Sequence, residues 1–98
     1  MRYSVRGNIQ SSSCAPLIVL EINKYQLWRF VTQDTVGDDG LALFTFEAWV
    51  NSKGDKTSLF NDLKPFADQY GGWIDWHECS HDEAISKPCV IVETYMGG

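Results

Sequence analysis

Between Leu41 and Asn51 the chain alternates with a period of two. Ala42, Phe44, Phe46, Ala48 and Val50 fall on one side, and Leu41, Leu43, Thr45, Glu47 and Trp49 on the other. That is the pattern of a strand laid against a core by one face, and the first set is the cleaner core set. From Ser58 to Tyr70 the period changes to that of a helix. Leu59, Leu63, Phe66, Ala67 and Tyr70 recur at three- and four-residue steps and form one apolar stripe. Thr57 or Ser58 suits its start, Gly71 and Gly72 suit its end, and Pro65 predicts a kink or a second start, because its ring removes one hydrogen bond of the helix.

Two more alternating stretches follow. Ile74, Trp76 and Glu78 oppose Trp73, Asp75, His77 and Cys79; Val90, Val92 and Thr94 oppose Cys89, Ile91, Glu93 and Tyr95. If these strands pair antiparallel, placing Cys79 opposite Cys89 sets Asp75 against Glu93, and like charges so placed repel. A two-residue shift removes the clash and pairs Ile74 with Val92, Trp76 with Val90 and His77 with Cys89. In both registers Asp75, His77, Cys79, Cys89 and Glu93 share a face away from the core.

At the other end, Arg2–Ile9 reads as a strand with Tyr3, Val5 and Ile9 inward and Gly7 among them, where a neighbour can approach closely. Leu17–Val31 places polar residues all round a helical wheel, so a hairpin with Asn23 and Lys24 at its tip is the reading that leaves a face to bury. Residues 36–40 hold two aspartates between glycines and form the next turn.

These elements predict an α+β fold: a curved, mainly antiparallel sheet of five to six strands with one helix, about residues 58–70, on one face. A ferredoxin-like arrangement is the alternative, and it requires a helix between residues 11 and 33. One helix covers one face. The other then carries Leu17, Val19, Leu43, Trp49, Trp73, Ile91 and Tyr95 among Glu21, Glu47, Asp75, His77 and Glu93. Such a surface is too apolar to stand flat in water, and predicts closure into a cup, a homodimer interface or a bound ligand.

Composition narrows the classes. The chain has 98 residues of which 44% are hydrophobic, enough for one domain spanning residues 1–98. Net charge is −5, divided unevenly: residues 1–32 carry four bases against Glu21, and the rest carries twelve acids against four bases. That balance argues against direct nucleic-acid binding. With neither an apolar run of membrane length nor the basic-then-apolar start of a signal peptide, the expectation is a cytoplasmic protein that does not enter the membrane.

The candidate chemistry lies around His77. His77, Cys79, His81 and Cys89 are the ligand types of a tetrahedral zinc site, although their spacing matches no finger or ribbon. Asp75, His77 and Glu93 could form a general base. The leading expectation is a non-enzymatic binding or interaction module. Its ligand or interface face holds Glu47, Trp49, Trp73, Asp75, His77, Glu93 and Tyr95, and its partner is a second copy, a small molecule or a basic protein. The alternatives are a small metal-dependent or hydrolytic enzyme around His77 and an acidic inhibitor that occupies a basic site on another protein.

Overall fold

A computed structural model of the chain describes residues 2–36, 42–79 and 90–97. In chain order these form β1 (Arg2–Ile9), a single 3₁₀ turn (Ser12–Cys14), α1 (Ala15–Ile22), β2 (Leu27–Val36), β3 (Ala42–Val50), α2 (Lys53–Tyr70), β4 (Gly72–Cys79) and β5 (Val90–Met96). The strands make one open sheet in the order β2-β3-β1-β4-β5, and every neighbouring pair is antiparallel.

Two strand-helix-strand units interlock in this order. β1 and β2 run the same way with β3 between them, and β3 and β4 run the same way with β1 between them. This is the split β-α-β connectivity of the ferredoxin-like arrangement, extended by β5 at one edge. The expected α+β class and antiparallel sheet are observed, with five strands. The expectation of a single helix is corrected to two. The sheet stays open, with β2 and β5 as its edges.

The second helix replaces the expected hairpin. Ala15–Ile22 is apolar nearly all round, so no polar face marks it as amphipathic, and its N-cap Cys14 makes no side-chain capping bond. Pro16 sits in the first turn, where its missing amide costs nothing. Only Ile18 and Ile22, four residues apart, are fully buried, whereas Leu17 and Leu20 point outward. Leu17 and Val19 therefore belong to α1 and not to a strand, with Val19 packed against the core.

α2 begins five residues earlier than its apolar stripe suggests. Ser52, extended, accepts a hydrogen bond from the Asp55 amide through its hydroxyl (3.1 Å), which caps the first turn. Pro65 lies inside the helix on its exposed side, and Gly71 ends it with a φ of 81°. Leu59, Leu63 and Ala67 pack inward as their spacing predicts, together with Phe60. Among the described residues, no helix is long and apolar enough to cross a membrane.

Both helices lie on the same side of the sheet and touch each other. Beneath them Val5, Ile9, Phe44, Phe46, Ala48, Val50, Ile74 and Trp76 form the core with Ile18, Ile22 and the inward side of α2. Gly7 belongs to this layer. A side chain there would begin 2.6 Å from the Phe46 ring and 2.8 Å from Ile74 Cγ2, so the strand tolerates only hydrogen at that position.

The first part of the β4–β5 pairing differs from both expected registers, and the part from His77 onward follows the less favoured of the two. Ile74 faces Tyr95, Trp76 faces Glu93 and Asp75 faces Thr94, with a shift between Trp76 and His77 that brings His77 opposite Ile91. Relative to the preferred register, the first part is displaced by three residues, and an odd displacement exchanges the faces of a strand. Val92 is consequently about half exposed, while Glu93 and Tyr95 lie on the helix side.

Candidate functional site

The face without helices is built from alternate residues of five strands, and the registers fix it as a grid. One row crosses the sheet as Arg29, Trp49, Ser4, His77 and Ile91. The next runs Val31, Glu47, Arg6, Asp75 and Thr94; the third runs Gln33, Thr45, Asn8, Trp73 and Met96. Residues directly opposite in an antiparallel pair share a face, so each row is a line of neighbouring side chains.

Charged and polar groups occupy the centre of the grid. Asp75 Oδ1 lies 2.8 Å from His77 Nε2 and 3.5 Å from Arg6 Nε, so one carboxylate oxygen serves both neighbours. Asp75 and His77 are each about 4% exposed. Buried polar groups require partners, and these two supply one another. With the hydrogen on Nε2, the imidazole donates to Asp75. The carboxylate in turn holds the guanidinium of Arg6, whose side chain is 37% exposed. On the opposite side of Arg6, the buried hydroxyl of Ser4 donates to Glu47 Oε2 at 2.9 Å.

Aromatic side chains flank this centre. Arg29 lies with its guanidinium carbon 5.0 Å from the Trp49 ring centroid, and Trp28 tilts against Trp49 with ring centroids 5.9 Å apart. Trp73 stands at the other end. Between it and β2 the face sinks into a hollow of about 280 Å³, bordered by Arg6, Val31, Gln33, Thr45, Glu47 and Trp73. His77 and Asp75 do not border it.

Of the residues expected on the uncovered face, Glu47, Trp49, Trp73, Asp75 and His77 are there. Glu93 and Tyr95 are not. Glu93 accepts a hydrogen bond from the Trp76 indole at 3.2 Å, and the Tyr95 hydroxyl donates to Asp68 of α2 at 2.7 Å. The general base expected from Asp75, His77 and Glu93 therefore reduces to Asp75 and His77. For zinc, His81 and Cys89 lie outside the described residues, as does the side chain of Cys79. Among the described residues, no three His, Cys, Asp or Glu side chains are grouped to hold a metal ion.

Ser4 and Arg6 at the centre, and Val31, Gln33 and Thr45 around the hollow, are site residues that the sequence reading left out. The alternation of Ser4 and Arg6 on β1 sets them away from the core, but only the central position of β1 brings them between Glu47 and Asp75. No protein-family model matches the chain, and no curated protein matches its sequence.

Proposed function

We propose that this protein is a non-enzymatic binding module that takes a small ligand in the hollow on its uncovered sheet face. The observation that carries the reading is the composition of that hollow: opposite charges from Arg6 and Glu47, hydrogen-bonding groups from Gln33 and Thr45, and apolar walls from Val31 and Trp73. A concave site with a few convergent polar groups on apolar walls is the general form of a small-molecule site. Catalysis by His77 has less support, because the ring is buried against Asp75 and stands apart from the hollow.

Backbone and indole NMR spectra recorded against a library of small molecules test the reading. Shifts concentrated on Arg6, Thr45, Glu47 and the Trp73 indole are expected, and their loss in Trp73→Ala. Shifts confined to the helix side, or none across a broad library, would overturn it.

A second reading, association of two copies through the same face, is favoured by the exposed apolar side chains of Val31, Ile91 and Met96 around its periphery. Sedimentation equilibrium decides between them. A monomer that binds small molecules supports the first reading; a dimer that dissociates on Ile91→Glu supports the second.

A further inference from the structure

We infer that the ligand of the hollow is a small zwitterion, an α-amino acid with an apolar or aromatic side chain. The inference rests on the hollow being a ligand site and adds what that ligand must carry.

Arg6 and Glu47 stand directly opposite each other on β1 and β3, on the same face. At that spacing their Cβ atoms lie within about 4.5–5.5 Å, close enough for an ion pair. They do not form one. Arg6 turns its Nε to Asp75 on β4, and Glu47 turns Oε2 to Ser4, two residues from Arg6 on β1, so each is held by a partner other than the residue it faces. Among the described residues the terminal guanidinium nitrogens of Arg6 and the second carboxylate oxygen of Glu47 have no partner, and both residues border the hollow.

Two opposite charges kept apart on one wall match a molecule bearing both signs a short distance apart. A carboxylate meets Arg6 with the planar two-point geometry guanidinium favours, and an ammonium meets Glu47. A purely anionic ligand would gain at Arg6 and be repelled at Glu47; a purely cationic one would suffer the reverse. The remaining walls select the rest of the molecule. Trp73 and Val31 offer an apolar slot, while Gln33 and Thr45 can hydrogen-bond the charged end. The volume of about 280 Å³ falls just below the range of roughly 300–1,000 Å³ typical of drug-sized sites, which accommodates a single amino acid.

The test is NMR titration of the folded protein with L-phenylalanine and three relatives. Phenethylamine lacks the carboxylate, 3-phenylpropionate lacks the ammonium, and N-acetylphenylalanine keeps the carboxylate with a neutral amide. L-phenylalanine is expected to shift Arg6, Glu47 and the Trp73 indole, and each relative to bind about tenfold more weakly or worse, as loss of one charged hydrogen-bonding partner dictates. Arg6→Gln and Glu47→Gln should each weaken L-phenylalanine binding by a similar factor. The second variant keeps the question decidable if the first fails to fold.

If the single-charge relatives bind at Trp73 as well as L-phenylalanine does, the zwitterion is overturned while the hollow remains a ligand site. If other library molecules bind there and L-phenylalanine and L-leucine do not, the zwitterion falls alone. If no probe of any chemistry perturbs the hollow, both readings fall together.

Discussion

The ammonium of Lys56, on the first turn of α2, sits 3.5 Å from the centroid of the Trp76 ring on β4, and 5.9 Å from that of Tyr3 on β1. Lys56 is only 5% exposed, and its charge is held by ring faces where a carboxylate would be usual. Burial, reinforced by Lys53 nearby, pushes its pKa below the ordinary 10.5, and Glu93 and Glu78 offset part of that. The folded chain thus holds this proton less tightly than the unfolded chain. Between the lowered folded value and 10.5 the unfolded state binds more protons, so stability rises with pH through that window. Chemical denaturation of wild type and Lys56→Met checks the sign: the difference between them should move in favour of wild type as pH approaches 10.5.

Tyr25 gives the opposite slope. Burial and then its hydrogen bond to Asp62 push its hydroxyl from 10.0 up to about 12. An acid whose folded pKa is raised contributes stability below the unfolded value, and that contribution is lost as pH climbs through the folded one. Wild type should therefore lose stability relative to Tyr25→Phe between pH 10 and about 12. Phenolate absorbance should show one fewer late-titrating tyrosine in the variant than in wild type, where Tyr95, bonded to Asp68, also titrates late.

Gly7 fixes how closely β1 approaches the core. In Gly7→Ala the new methyl group must displace the Phe46 ring and Ile74, both of which are packed from the other side by the rest of the core. Overpacking of this kind costs about 1–3 kcal/mol, read as a lower denaturation midpoint at unchanged slope.

α1 makes few inward contacts, and each should matter. Ile18→Ala empties a fully buried position between the short helix and the sheet, and should lower stability by about 2–5 kcal/mol. The exposed Leu20→Ala, two residues along and on the opposite side of the same helix, should cost far less. A similar loss in both variants would contradict the placement of α1.

His77→Ala leaves Asp75 buried with the longer Arg6 contact as its remaining described partner. An underpaired buried group of this kind costs about 1–3 kcal/mol in thermal or chemical unfolding. Because His77 does not border the hollow, affinity there should change less than in Arg6→Gln.

Which parts of this molecule could be read from its sequence follows from which elements announce themselves locally. The alternation of β3 and the stripe of α2 required only counting, and they led directly to Trp49 and Glu47 on one side and Phe44 and Phe46 on the other. Asp75, His77 and Trp73 followed from the period of β4. α1 could not be found this way, since eight residues with apolar side chains on nearly every side carry no helical periodicity, and the tertiary contacts of Ile18 and Ile22 decide its form. Glu93 and Tyr95 were misplaced for another reason. A period of two says which residues alternate, but the pairing between strands decides which set faces inward, and here an irregularity beside His77 enters the register. Nothing in the local pattern marks Lys56, because only the approach of Trp76 makes a buried position for its charge.

The strand at the heart of the sheet is the one nearest the start of the described chain. β1 pairs on one side with β3 and on the other with β4, whose residues lie some seventy positions further on. Such distant partners make folding slow, because a long loop must close before either contact is rewarded. As the chain is synthesised, β1 can pair with β3 first, but its other edge has no partner until β4 is complete. Ser4 and Arg6 gain their neighbours His77 and Asp75 only once β4 is in place, so the uncovered face is incomplete without it.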